Sequence, residues 1–392
     1  MKTVIATALT SETGTRSAEV LVQELRAQLG DAAPAFVVVF ASTAQPLEPL
    51  QGRLLEAFGT ATVLGASTAG EFTEKGDAKQ SVCAFALAGD FKVFAGMGSG
   101  LRANPEQAVR QALEALPTSA PGYPHRTGVL LLDPLAGNGE EVTLLAASML
   151  GDQPLAGGAA GDDLQMKATS VGCGSRAASD AVVIAQVFSK SPLGLGVCHG
   201  HTPVSKPLKV TSARGNVVET IDERPAWDVW LENTLEREER RGVDQRAMTR
   251  EEEGGYLLRY EAGIATGSAY KVRAPLSRDE RGAISFACGV PQGTVFRITE
   301  SAAEPQIASA REAARRARVQ LAGGSAAGAL VFDCICRNLI LGEGFDEAVR
   351  GMSAELGGAP ICGFETYGEI ALDAGDMSGF HNTTTVVLAF PR

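Results

Sequence analysis

The sequence predicts a mixed α/β protein of three internal βαβαβ-type repeats, its sheets covered by helices, with a β-rich insert between repeats two and three. Three observations carry this. One punctuation recurs, a buried strand ending in a glycine turn with an acid: Gly65-Ala66-Ser67-Thr68-Ala69-Gly70-Glu71, Gly157-Gly158-Ala159-Ala160-Gly161-Asp162 and Gly363-Phe364-Glu365-Thr366-Tyr367-Gly368-Glu369. Each copy follows a segment with apolar residues three and four apart, the spacing of one helix face: Leu50, Leu54 and Phe58, then Val142, Leu145 and Met149, then Phe345, Val349 and Met352. Before each helix runs a short unbroken apolar stretch, at 36–40, 129–132 and 329–332. Strands without polar alternation, separated by helices, indicate a partly parallel sheet buried on both faces.

The other elements fall into the same register. An opening strand is expected at 4–8, 91–95 and 295–298, and a first helix at 20–29, closed by Gly30, at 105–116, capped by Asn104, and at 307–321. A last strand follows each glycine turn, at 82–87, 181–187 and 384–390. The insert spans about 193–291 and starts Leu193-Gly194-Leu195-Gly196-Val197-Cys198-His199-Gly200-His201. It continues with strands at 208–211 and 217–222 and a helix from Pro225 whose Trp227 and Trp230 read as core rather than a docking surface. The polar stretch 246–255 is expected to be a mobile loop. The domain division is 1–204, holding two repeats, and 205–392, holding the insert and the third repeat.

Composition narrows the function. The 392 residues, 45% hydrophobic, suffice for two or three domains. A net charge of −11 argues against nucleic acid as a partner, and the dense charge run 236–241 mixes both signs. The N-terminus meets Thr10 and Ser11 too early for a signal peptide, and no apolar run approaches the roughly 20 residues of a membrane span. Seven scattered cysteines without a C-x-x-C read as reduced intracellular thiols, so the expected location is the cytoplasm, with no membrane insertion.

Several further motifs stand in a fixed order: Pro154-Leu155-Ala156-Gly157-Gly158, Cys198-His199-Gly200-His201-Thr202-Pro203, Gly215-Asn216-Val217-Val218, Pro225-Ala226-Trp227, Phe332-Asp333-Cys334-Ile335-Cys336-Arg337 and His381-Asn382-Thr383-Thr384. With the glycine turns, they resemble the FIST family, N- and C-terminal domains together, over nearly the whole chain. The resemblance implies a sensory module for small ligands in bacterial signalling. Its expected partners are a histidine kinase, a cyclic-dinucleotide enzyme or a chemoreceptor. Some family members are haem proteins that respond to nitric oxide. The chain shows no kinase or cyclase segment, so output is expected through a separate protein.

The candidate site residues admit two readings each. Glycine beside Ser67, Glu71, Asp162 and Glu369 lets backbone amides turn inward and cradle a polar ligand, or each acid simply pins its own turn. His199 and His201 share strand parity with Leu193, Leu195 and Val197, an apolar face suited to the iron of haem b; the alternative is a strand-end histidine bonded to a carbonyl. Without C-x-x-C-H such a haem is non-covalent. His125 reads as exposed and idle. The third repeat adds Cys334, Arg337, Glu365, Tyr367, Glu369, His381 and Asn382, and the ligand pocket is expected there. Arg337 either holds a ligand carboxylate or pairs with Glu365 or Glu369. The rival class is a cysteine-dependent hydrolase or acyltransferase, with Cys334, His381 and Asn382 as nucleophile, base and orienter. No Walker lysine, H-E-x-x-H or G-x-S-x-G accompanies them, so no enzyme activity is expected.

Overall fold

The computed structural model describes residues 2–137, 139–245, 247–372, 375 and 379–392. Three of its sheets share one strand order. In the first, Val4–Thr10 pairs with Val82–Ala88, which pairs with Pro34–Ser42, which runs parallel to Thr62–Thr68. In the second the order is Phe91–Ser99, Ala181–Ser189, His125–Leu132 and Leu155–Ala159. In the third it is Gly194–Cys198, Thr385–Pro391, Ala326–Cys334 and Ile361–Thr366. Only the last pair of each set is parallel.

Each sheet is completed by a hairpin from another part of the chain. Strands Glu71–Thr73 and Gly76–Ala78 extend the third sheet, Val171–Cys173 and Arg176–Ala178 the first, and Glu369–Leu372 and Gly379–His381 the second. The exchange is cyclic, so no sheet has a complete set of strands from its own segment. The inner faces meet in one apolar core, where Phe40, Phe332 and Phe364 cluster with ring centroids 4.4 to 6.4 Å apart. Full burial of one such ring stabilises by roughly 1.5–3 kcal/mol. The outer faces are covered by helix pairs: Thr15–Leu29 with Leu47–Ala57, Pro105–Leu113 with Gly139–Leu150, and Ala303–Gln320 with Phe345–Glu355. Asn104 accepts from the Gln107 N–H (3.0 Å) as the expected cap.

The opening strand of the third set differs from the expectation. Val295–Glu300 belongs to the insert's own sheet, and Gly194–Cys198 takes the opening place. The reason lies in Gly194 and Gly196, where an added Cβ would overlap the carbonyls of Ala317 and Ala313 on the covering helix. Gly96 and Gly98 meet the carbonyls of Ala112 and Ala108 in the same way in the second set. A helix seated this close on a strand requires glycine beneath it. The insert therefore lies between the third set's first strand and its first helix.

That insert is an antiparallel sheet in the order Ala269–Arg273, Tyr260–Thr266, Val295–Glu300, Leu208–Arg214, Val217–Ile221, Ile284–Phe286, Pro275–Arg278. Helices Ala226–Arg240 and Arg250–Arg259 cover it, and Trp227 and Trp230 are buried in its core, as expected. The loop expected at 246–255 is helical from Arg250. Thr249 and Glu252 form a capping box that satisfies the first turn; Arg246 lies outside the described residues. His125 is half-buried and begins a strand rather than standing idle in a loop.

Candidate functional site

The three glycine turns meet at the centre of the molecule and bond one another. Ala69 N–H donates to the Glu365 carbonyl (3.1 Å), Gly161 N–H to that of Ser67 (2.8 Å), and Tyr367 N–H to that of Ala159 (3.1 Å). The acids turn inward onto their own loops. Glu71 accepts from the Thr68 hydroxyl and the Ser81 N–H (3.2 Å), Glu369 from the Thr366 hydroxyl and the Thr384 N–H (3.1 Å). Burial pushes Glu71 up to about 8 and Glu369 well above the usual range, favouring the protonated form of each. For Asp162, burial is outweighed by the Tyr367 hydroxyl (2.6 Å) and the N–H groups of Lys167, Ala168 and Met166, and its pKa lies below the ordinary value. Ser67 accepts from the Ser170 N–H (2.8 Å). These groups pin turns.

Arg337 is wholly buried. It pairs with Asp333 (2.6 Å), not with Glu365 or Glu369, and donates further to the Gln306 side chain, the Ser309 hydroxyl (3.0 Å) and the Gln306 carbonyl (3.0 Å). Glu365 instead receives Lys79 (2.7 Å) and the Asn338 amide (2.6 Å), and burial raises it to about 7.

A different place is open. A groove of about 860 Å³ runs between the start of helix Gly139–Leu150, two insert loops at 215–216 and 287–291, and Tyr367 and Phe380 of the third set. Its mixed wall of carboxylates (Glu140, Glu141), aliphatic side chains (Leu144, Leu145), aromatic rings and the Cys288 thiol suits a small amphipathic ligand. Arg273 ties the groove from behind, donating to Glu140 (2.7 Å) and to the Phe380 carbonyl (3.0 Å). Of the residues singled out in the sequence, Tyr367 lines this groove and Asn382 reaches it indirectly, through its bond to Cys288. Glu140, Glu141, Leu144, Cys288 and Phe380 were not singled out, and Asn216 was read only within the Gly215-Asn216-Val217-Val218 motif. One signal was available: Pro134, Gly137 and Gly139 precede the two acids, and glycine at a rim removes side chains that would close it.

The FIST N domain model matches residues 35–224 and the FIST C domain model residues 231–372. The chain belongs to the FIST family. FIST domains are small-ligand-binding domains of signal transduction. No curated protein matched the FIST chain. Among solved structures, the cyanuric acid hydrolase of A. caulinodans matches with 11% identity and a TM-score of 0.28, covering 48% of this chain and 71% of its own, a likeness that carries no argument. No helix among the described residues is long and apolar enough to cross a membrane.

His199 and His201 do not stand on the apolar strand face that the haem reading requires. The strand ends at Cys198, so His199 and His201 lie past it. His199 has both ring nitrogens engaged, Nε2 with the Tyr270 carbonyl (2.8 Å) and Nδ1 with the His201 N–H (3.1 Å), and burial pushes it down to about 4. His201 is buried, with Nδ1 3.3 Å from the Thr299 hydroxyl and Nε2 3.7 Å from Glu261. An iron ligand needs a free nitrogen facing a cavity. The cysteine triad is equally unsuited. The Cys334 thiol lies against Cys336 and the Glu369 carboxyl, and its burial raises it well above the ordinary value, the opposite of an activated nucleophile. Asn382 accepts from the Ala274 N–H (3.3 Å) and donates to the His381 carbonyl (3.0 Å).

Proposed function

We propose that this FIST chain is the input module of a signalling pathway, binding its small ligand in the groove and passing the occupied state to a separate partner such as a histidine kinase, a cyclic-dinucleotide enzyme or a chemoreceptor. The observation that carries the reading is the groove's composition from several bodies: a helix of the second set, two loops of the insert and the third set's hairpin. A ligand touching all of them alters how the insert sits on the repeats, because the Arg273–Glu140 pair crosses the same seam. Ligands shift a structure only through contacts that differ between its states, and a groove at a seam supplies such contacts.

The test is a thermal-shift screen of small metabolites against wild type and Gly289→Trp. Gly289 lines the groove, has open space around its Cβ apart from the Gly215 carbonyl at 3.7 Å, and accepts a bulky side chain that fills the groove. Hits that stabilise wild type and not the filled variant support the reading. Hits that stabilise both equally place the ligand elsewhere and sink it.

A further inference from the structure

We infer that the opening strand of the second set, Phe91–Ser99, is a docking edge that takes an extended segment of a partner protein as an added strand. The groove plays no part in it. Each of the three opening strands is the outer strand of its sheet, and an outer strand turns alternate N–H and C=O groups away from the sheet. Two of the three edges are closed in the same way. In the first set the Gln28 amide, on the covering helix, accepts from the Thr7 N–H (3.2 Å) and donates to the Thr7 carbonyl (2.7 Å). In the third set the Gln320 amide accepts from the Leu195 N–H (3.0 Å) and donates to the Leu195 carbonyl (2.6 Å). Each glutamine stands in for a neighbouring strand.

The second set has no such closure. Gln320 comes three residues after Ala317, whose carbonyl seats over Gly194; the matching carbonyl over Gly96 is that of Ala112, and three residues on stands Ala115. The covering helix has already ended at Leu113, and alanine has no amide to offer. The Val93 carbonyl accepts from the Thr62 hydroxyl (2.7 Å) and the Ser99 N–H donates to the Gln111 side chain (3.3 Å), so the odd-numbered residues of this strand face off the sheet. Between them, the N–H and C=O groups of Ala95 and Met97 meet no protein group off the sheet among the described residues. Exposure follows the same division. Ile5–Ala8 and Gly194–Val197 are buried, whereas Lys92 and Phe94 are exposed and Ala95, Gly96 and Met97 half-buried.

Backbone groups spaced as in a strand specify the occupant, another extended backbone, which satisfies them as the two glutamines do elsewhere. Side chains add a preference. Lys92 lies directly opposite Phe188 in the ladder, and Phe94, two residues on, shares its face. The Lys92 ammonium stands over the Tyr123 ring, 5.2 Å from its centroid, and no carboxylate pairs with it among the described residues; Asp90 is bonded to Lys190 (3.0 Å). Directly opposed residues of neighbouring strands share a face. The partner segment therefore carries an acid opposite Lys92 and, two positions away, an apolar residue opposite Phe94. The stretch 91–99 itself holds no acid, so a second copy of this edge offers Lys92 no match.

The test uses capped heptapeptides of alternating valine and threonine with glutamate or lysine in place of one inner valine. Binding to the full chain is read by calorimetry, and location by hydrogen exchange at the Ala95 and Met97 amides. The glutamate peptide should bind about fivefold more tightly than the lysine peptide, the scale of an opposite-charge cross-strand pair, and should slow exchange at both amides. N-methylating its alternate amides gives two forms, of which the one blocked toward the edge should bind roughly 10-fold more weakly. Lys92→Glu, at an exposed position, should invert the charge preference and leave the melting temperature in place. Equal binding of the glutamate and lysine peptides overturns the acidic preference. Binding that leaves both amides exchanging freely, equal affinity of the two N-methylated forms, or no binding by any peptide overturns the docking edge. A dimer in sedimentation whose Ala95 and Met97 amides are already protected gives the edge to a second copy and overturns the partner strand.

Discussion

The centre of the molecule and the groove at its flank are built on opposite plans. At the centre three similar turns interlock, glycines stand where a Cβ would strike a neighbour, and every acid is bonded to protein groups around the turns. At the flank the walls are residues that occur once, and side chains stop short of one another. Repetition at the centre reflects a packing problem solved three times over. Ligand recognition is asymmetric, and the groove arises where the insert breaks the threefold pattern. A recurring motif in an internally repeated protein is therefore better evidence of fold than of function.

The largest expected effects should then come from the buried centre and its supports. Arg337→Ala removes the guanidinium from Asp333 in a fully buried position and leaves that carboxyl only the Thr385 hydroxyl, and removing one partner of such a pair costs about 3–5 kcal/mol. Gly161→Val forces a side chain to within 2.6 Å of the Ala69 nitrogen, where backbone cannot yield, and should cost up to about 3 kcal/mol. Urea denaturation measures both. A variant that kept wild-type stability and lost ligand binding would break the division between centre and flank.

How far the sequence foretold this molecule depended on distance along the chain. The repeat's middle strands and helices were legible because each lies within about fifty residues of its neighbours and obeys one period. The third opening strand was misplaced at 295–298 because the nearest apolar strand upstream of the helix was taken, while the true strand lies before the insert. The spacing Gly96-Met97-Gly98 against Gly194-Leu195-Gly196, with Ala6-Thr7-Ala8 in the first set, was the available clue: small residues on alternate positions where a helix packs closely. The partner of Arg337 was missed although Asp333 stands only four residues before it, at the end of the strand that leads into its helix. The groove was illegible, since its walls come from Pro134 and Gly137, the helix starting at Gly139, the loops 215–216 and 287–291, and Tyr367 and Phe380, brought together only by tertiary packing.

The centre also predicts how stability responds to pH. Glu71 has a folded pKa near 8, raised chiefly by burial, against an ordinary value of 4.5. The native state therefore holds a proton that the unfolded chain releases. That contribution is complete below pH 4.5 and is lost as pH rises through about 8, with a steepest slope of about 1.4 kcal/mol per pH unit for one proton. Glu365, raised to about 7 beside Lys79, acts in the same direction over a narrower window. Glu71→Gln should flatten the pH dependence of the urea midpoint between pH 5 and 8. An unchanged slope would mean that Glu71 is ionised in the folded protein, and the description of the centre as closed and dry would fail.

The smallest effect on stability is expected at the groove, and it sharpens the comparison most. Leu144 projects from the helix that forms one wall and is 57% exposed, so truncation creates no cavity and leaves no polar group unpaired. Leu144→Ala should shift stability by less than about 0.5 kcal/mol, the usual range for an exposed position, and alanine is a good helix former. The same change removes apolar area from the groove's far end, so any ligand that covers Leu144 should bind roughly 1 kcal/mol more weakly, about fivefold in affinity. Urea denaturation and calorimetry on one preparation test both halves. Loss of stability without loss of affinity would show that the helix face packs as the centre does and would erase the contrast between the two regions. Loss of affinity at constant stability is the pattern that a ligand-lined surface requires.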